Sequence, residues 1–129
     1  MNENKSDNSA TNKNKSYILI SLRIDTSAVQ FGKIHNGEII LNEYGKIIEV
    51  EWQNLADRYP VMEIDEYIIM PDHFHAIVVL ENDLAIPLRR IISYFKQASS
   101  EKLYKYGIED FKWKKSYFEK KINSEEELN

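Results

Sequence analysis

The order of periodicities along this chain predicts an α+β sandwich, a mainly antiparallel sheet with two helices packed on it. Three observations predict it. Short, β-branched apolar runs at residues 17–24 and 76–80 have the length of strands rather than helices. Two longer stretches, at residues 43–59 and 87–98, repeat apolar residues at three- and four-residue steps. Their order is strand, hairpin, helix, two strands, helix, in which neighbouring strands can pair antiparallel.

Residues 1–15 are rich in Asn, Ser and Lys and offer almost nothing to bury, so they read as a disordered arm preceding a folded domain at 16–129. They lack the apolar centre of a signal peptide. The first strand, residues 17–24, is apolar enough to run through the middle of a sheet. After a loop at 25–30, residues 31–42 form a hairpin turning at Asn36-Gly37, a pair that tolerates the positive φ of a tight turn. His35 beside that turn reads as an exposed strand-end histidine. Asn42 can cap the first helix, whose inward stripe is Tyr44, Ile47, Ile48, Trp52, Leu55 and Tyr59, and Pro60 ends it. On that stripe Trp52 and Tyr59 read as core.

Residues 61–70 alternate as a strand and pair with the strand after Pro71-Asp72. The polar break Glu81-Asn82-Asp83 follows. Pro87 then opens a second helix, with Leu88, Ile91, Ile92, Phe95 and Ala98 inward and Arg89, Arg90 and Lys96 outward. This element order is that of ferredoxin-like folds.

With 129 residues the chain makes one domain. It has no cysteine, which excludes disulfides and thiolate metal sites and is compatible with a reducing cytoplasm. No apolar run approaches the ~18 residues that cross a bilayer, so a soluble, cytoplasmic protein without membrane contact is expected.

The net charge of −4 conceals a division. Residues 17–83 hold 4 basic and 12 acidic residues, whereas residues 84–121 hold 10 basic and 4 acidic. A polyanion would be steered to the second half. There, residues 111–121 interleave Lys112, Lys114, Lys115, Lys120 and Lys121 with Phe111, Trp113, Tyr117 and Phe118. Such a segment suits unpaired nucleic acid, with cations on phosphates and rings on bases. It equally suits an edge strand kept soluble by lysines, with Trp113 and Phe118 packed inward.

The most specific pattern is Met70-Pro71-Asp72-His73-Phe74-His75, followed by apolar residues. Alternate strand residues share a face about 6.5–7 Å apart, so His73 and His75 point together while Phe74 points away. Two such imidazoles can grip one divalent ion, or stand as two solvated histidines.

This stretch resembles the signature of single-tyrosine HUH transposases, especially the REP-associated tyrosine transposases, with Asp72 where asparagine is usual. The resemblance extends over roughly residues 16–129, through Phe31-Gly32-Lys33-Ile34, Ile86-Pro87-Leu88, Phe95-Lys96, Trp113 and Tyr117-Phe118-Glu119. It implies single-stranded or hairpin DNA as partner and Mg2+ or Mn2+ as cofactor, held by His73 and His75. A tyrosine hydroxyl would attack phosphorus to give a 5′-phosphotyrosine and a free 3′ hydroxyl, conserving the bond energy for rejoining.

Arg89, Arg90, Lys96, Lys112, Trp113, Lys114 and Lys115 are the expected DNA contacts. Lys120 and Asn123 depart from the family's histidine and arginine, which puts contacts at those two positions in doubt. Ser124 and Glu127 form a capping box that starts a further helix. The family's nucleophilic tyrosine lies further along that helix, beyond residue 129, so no catalytic residue is assigned and the chain is expected to be inactive alone. Tyr67, Tyr94, Tyr104, Tyr106 and Tyr117 are not taken as substitutes. The alternatives are a non-catalytic DNA-hairpin binding remnant and a small metal-dependent hydrolase using His73, His75 and Asp72 or Glu66. Monomer and homodimer both stay open.

Overall fold

Seven strands and two helices follow one another along a computed structural model that describes residues 15–27, 29–81 and 86–122. They are β1 (Lys15–Thr26), β2 (Gly32–His35), β3 (Glu38–Leu41), α1 (Glu43–Arg58), β4 (Met62–Ile69), β5 (His73–Glu81), α2 (Leu88–Lys105), β6 (Lys112–Trp113) and β7 (Phe118–Ile122). The main sheet runs β4-β5-β1-β6, and β7 also pairs with β1. All its pairings are antiparallel. The predicted α+β, ferredoxin-like sandwich is the observed architecture.

β1 is the central strand because it is apolar on both faces and long enough to serve several partners. Its whole length up to Arg23 pairs with β5. On its other edge, residues 17–21 pair with β7 and residues 24–26 with β6. The strand begins at Lys15, whose ammonium meets Glu63 at 2.9 Å, so this residue belongs to the sheet rather than to the predicted arm. The rest of that arm, the break at 82–83 and the capping box at Ser124 lie outside the described residues.

β2 and β3 form a separate hairpin whose turn places Asn36 at φ 52 and Gly37 at φ 80, as the sequence predicts. Asn42 caps α1, its side-chain Oδ1 accepting from the Tyr44 and Gly45 N–H groups at 2.9 Å each. A Cβ at Gly45 would fall on the Phe31 carbonyl, so only glycine lets α1 come this close to the loop after β1.

Both helices cover one sheet face. Trp52 of α1 is fully buried, with its ring 4.7 Å from Phe74 of β5 and 5.2 Å from Phe95 of α2. On α2 the inward row is Leu88, Ile91, Ile92, Phe95, Ser99 and Leu103. Ser99 thus replaces the predicted Ala98, because its hydroxyl donates to the Phe95 carbonyl at 2.7 Å and needs no water.

Candidate nucleic-acid and metal site

The histidine pair is set by the β4–β5 hairpin. Its two-residue loop, Pro71-Asp72, is closed by the Met70 N–H donating to the His73 carbonyl at 2.8 Å. Pro71 supplies the φ of a tight turn and has no N–H to leave unpaired. The loop is then tied to the centre of the molecule, since the Pro71 and Asp72 carbonyls accept from Phe31 N–H (2.8 Å) and Ile24 N–H (3.1 Å). Phe74 is fully buried against Trp52, so the chain between the two histidines has no freedom to rotate. His73 and His75 therefore emerge together on the face away from the helices, ring centres 4.7 Å apart and rings inclined at 72°.

The two imidazoles have different surroundings. The Asp72 carboxylate lies 2.8 Å from His73 Nδ1, and that hydrogen bond holds the Asp72 carboxyl below the usual carboxylate range. An ionised carboxylate can only accept, so Nδ1 is the nitrogen that donates to it and Nε2 is the one turned away from it. Burial, followed by the nearness of His73 and Arg23, pushes the His75 pKa below that of an ordinary histidine. It is neutral at pH 7. Two imidazoles converging from one strand offer a divalent ion a pair of nitrogen ligands. Among the described residues no third His, Cys, Asp or Glu completes a ligand cluster with them. A cavity of about 180 Å³ opens beside His75, lined by Leu19, Glu66, Tyr67, Ile68 and Ile77.

The expected DNA contacts divide into two kinds. Arg89 and Arg90 in the first turn of α2, and Lys112, Lys114 and Lys115 around β6, are exposed. Lys96 and Trp113 serve the fold instead. The Lys96 ammonium donates to the Lys114 and Lys115 carbonyls at 2.7 and 3.0 Å, and burial pushes its pKa down. It is a strut under the lysine segment rather than a free cation. Trp113 is 7% exposed, touches Phe31, Phe95 and Phe111, and gives its indole N–H to Ser99 Oγ at 3.0 Å. Its ring cannot stack on a base, which corrects the expectation for this residue. The lysines, with Ser93, Gln97 and Ser100 of α2, border a groove of about 520 Å³. Tyr117 donates to Glu119 at 2.8 Å, and burial raises its pKa, so its hydroxyl is no ready nucleophile.

The sequence gives no sign of two further residues at the pair. In the β1–β5 register Ser21 stands opposite His75 and Arg23 opposite His73. No motif contains them, and their place depends on strand pairing.

A family model described as "Transposase IS200 like" matches residues 33–129. The chain belongs to that family. The chain is similar in fold to a solved REP-associated tyrosine transposase bound to a REP hairpin. The TM-score is 0.57 at 16% identity, over 88% of this chain and 59% of that one. It is also 30% identical over 66 residues to an uncharacterised protein of Haemophilus influenzae, covering 51% of this chain and 37% of the relative. The chain thus spans well under two thirds of the length of either relative.

Proposed function

We propose that this IS200-like transposase domain binds single-stranded or hairpin DNA and presents one phosphodiester to a divalent ion, Mg2+ or Mn2+, held by His73 and His75. The observation that carries the reading is the paired imidazoles on an open sheet face, in a chain of this family. An ion bound there would polarise a phosphate oxygen and offset the charge that develops during strand transfer. The chain's own residues do the rest. Asp72 fixes the His73 tautomer, Phe74 anchors the strand between the two rings, and Lys112, Lys114 and Lys115 with Arg89 and Arg90 attract the polyanion.

Strand cleavage and rejoining in this reading forms a bond from a tyrosine oxygen to phosphorus and breaks the bond to the 3′ oxygen, which leaves as a hydroxyl after taking up a proton. The Tyr67 hydroxyl, on a residue lining the cavity beside His75, is turned to Gln53 and Glu49 at 2.7 and 3.1 Å on the helix side. The Tyr67 and Tyr117 hydroxyls are both committed to partners away from the pair, and this favours a second reading, a hairpin-binding module without chemistry. It also weighs against the small hydrolase, since Asp72 is committed to His73.

Two measurements test the proposal. Calorimetry with Mn2+ should show ion uptake that His73→Ala and His75→Ala abolish while circular dichroism stays unchanged; undiminished uptake in both variants would remove the metal site. A nicking assay on a single-stranded hairpin with Mn2+ separates transposase chemistry, seen as a covalent protein–DNA product, from binding alone.

A further inference from the structure

We infer that Arg23 and Ser21 of β1 form a phosphodiester-binding subsite directly beside the histidine pair, with Arg23 as its anchor. The inference rests on the DNA-binding reading and names which backbone group that DNA presents here. It starts from register. Residues directly opposite in an antiparallel pair share a face with Cβ atoms about 4.5–5.5 Å apart. Arg23 therefore flanks His73, and Ser21 flanks His75, on the face away from the helices.

Two features distinguish Arg23 from an ordinary solvated charge. Its side chain is exposed, and among the described residues it forms no ion pair, although it is close enough to Asp72 and His75 to push both their pKa values down. The Asp72 carboxylate, near enough to be lowered by Arg23, is bound to His73 instead. A fixed cation beside a pair of cation-binding imidazoles opposes uptake of a bare metal ion. That repulsion turns to attraction when an anion bridges the two positive centres. A phosphodiester meets that requirement, because its two non-bridging oxygens match the planar fork of a guanidinium. The Ser21 hydroxyl adds one donor on the His75 side.

The position also joins the two parts of the candidate site. The Arg23 carbonyl accepts from the Lys114 N–H at 2.9 Å, so the lysine segment departs from the same point of β1. Successive phosphates of one strand can then run from the lysines to Arg23 and the histidines.

Arg23→Gln and Arg23→Lys in the full chain test the subsite, with a single-stranded oligonucleotide and Mn2+ as separate probes. In EDTA, R23Q should bind the oligonucleotide about tenfold more weakly, with a salt slope shallower by about 0.7, one phosphate's share. R23K should recover the slope but only part of the affinity, since an ammonium cannot engage two oxygens in a fork. Uptake of Mn2+ alone by R23Q should be equal to or tighter than that of the parent; weaker uptake would mean that Arg23 merely supports the pair, and would overturn the inference. A parent chain that binds the oligonucleotide as tightly and as salt-dependently as R23Q would overturn it too, leaving the DNA-binding reading intact. A parent chain that does not bind the oligonucleotide at all would end both.

Discussion

At the scale of single residues, the candidate site depends on how readily His75 gives up its proton. His75 resists its proton because it is partly buried beside His73 and Arg23. In the unfolded chain it takes that proton at about pH 6.5. Lowering the pH from 7 to 5.5 without metal therefore lets the unfolded state bind more protons than the native one, and stability falls. His75→Gln should lose less of its urea midpoint over that interval than the parent does. Equal losses would show that His75 titrates normally. The common orientation of His73 and His75 was legible from their two-residue spacing alone. The role of Asp72 was not, because a one-residue neighbour on the same turn can equally point into solvent.

At the scale of elements, the lysine segment around β6 is where the sequence was most ambiguous. Alternating lysines and aromatics describe both a strand-edge element and a single-strand binder. The resolution lies in contacts from distant elements, namely Ser99 on α2 accepting the Trp113 indole N–H and the Lys96 ammonium donating to two carbonyls. Phe111 and Trp113 face the core, whereas Phe118, expected to pack inward, is 55% exposed alongside Lys112, Lys114 and Lys115, so the segment meets phosphates through its lysines. Lys114→Glu with Lys115→Glu should weaken single-stranded DNA binding and make its salt slope shallower by about 1.4. Affinity unchanged between low and high salt in the parent would exclude phosphates as the contact. By contrast, the α1 cap at Asn42 and the turn at Asn36-Gly37 were legible, because each rests on local chemistry between residues a few positions apart.

Taken as a whole molecule, the aromatic cluster behind the sheet and the histidines in front of it share one strand. Trp52 packs on Phe74, and Phe74 separates His73 from His75, so a loss of packing on the helix side reaches the other face. Trp52→Ala should cost roughly 3–5 kcal/mol of stability, read by urea denaturation, and should also weaken Mn2+ uptake. A variant that loses stability but keeps the parent's ion affinity would show that the pair is held by its loop alone. The architecture was legible from periodicity and order. The partnering of β1 with both β6 and β7 was not, because sequence patterns do not say which segments share an edge.

That shared edge governs how the molecule meets its own copies. With β6 and β7 occupying one side of β1, the outermost strand on the other side is β4. β4 carries Glu63, Asp65 and Glu66 and an irregularity between Ile64 and Tyr67. A bent, acidic margin is a poor template for an incoming chain. That margin is thereby protected from sideways polymerisation into fibrils, and crowding at high concentration should not thread these domains together through the backbone of β4.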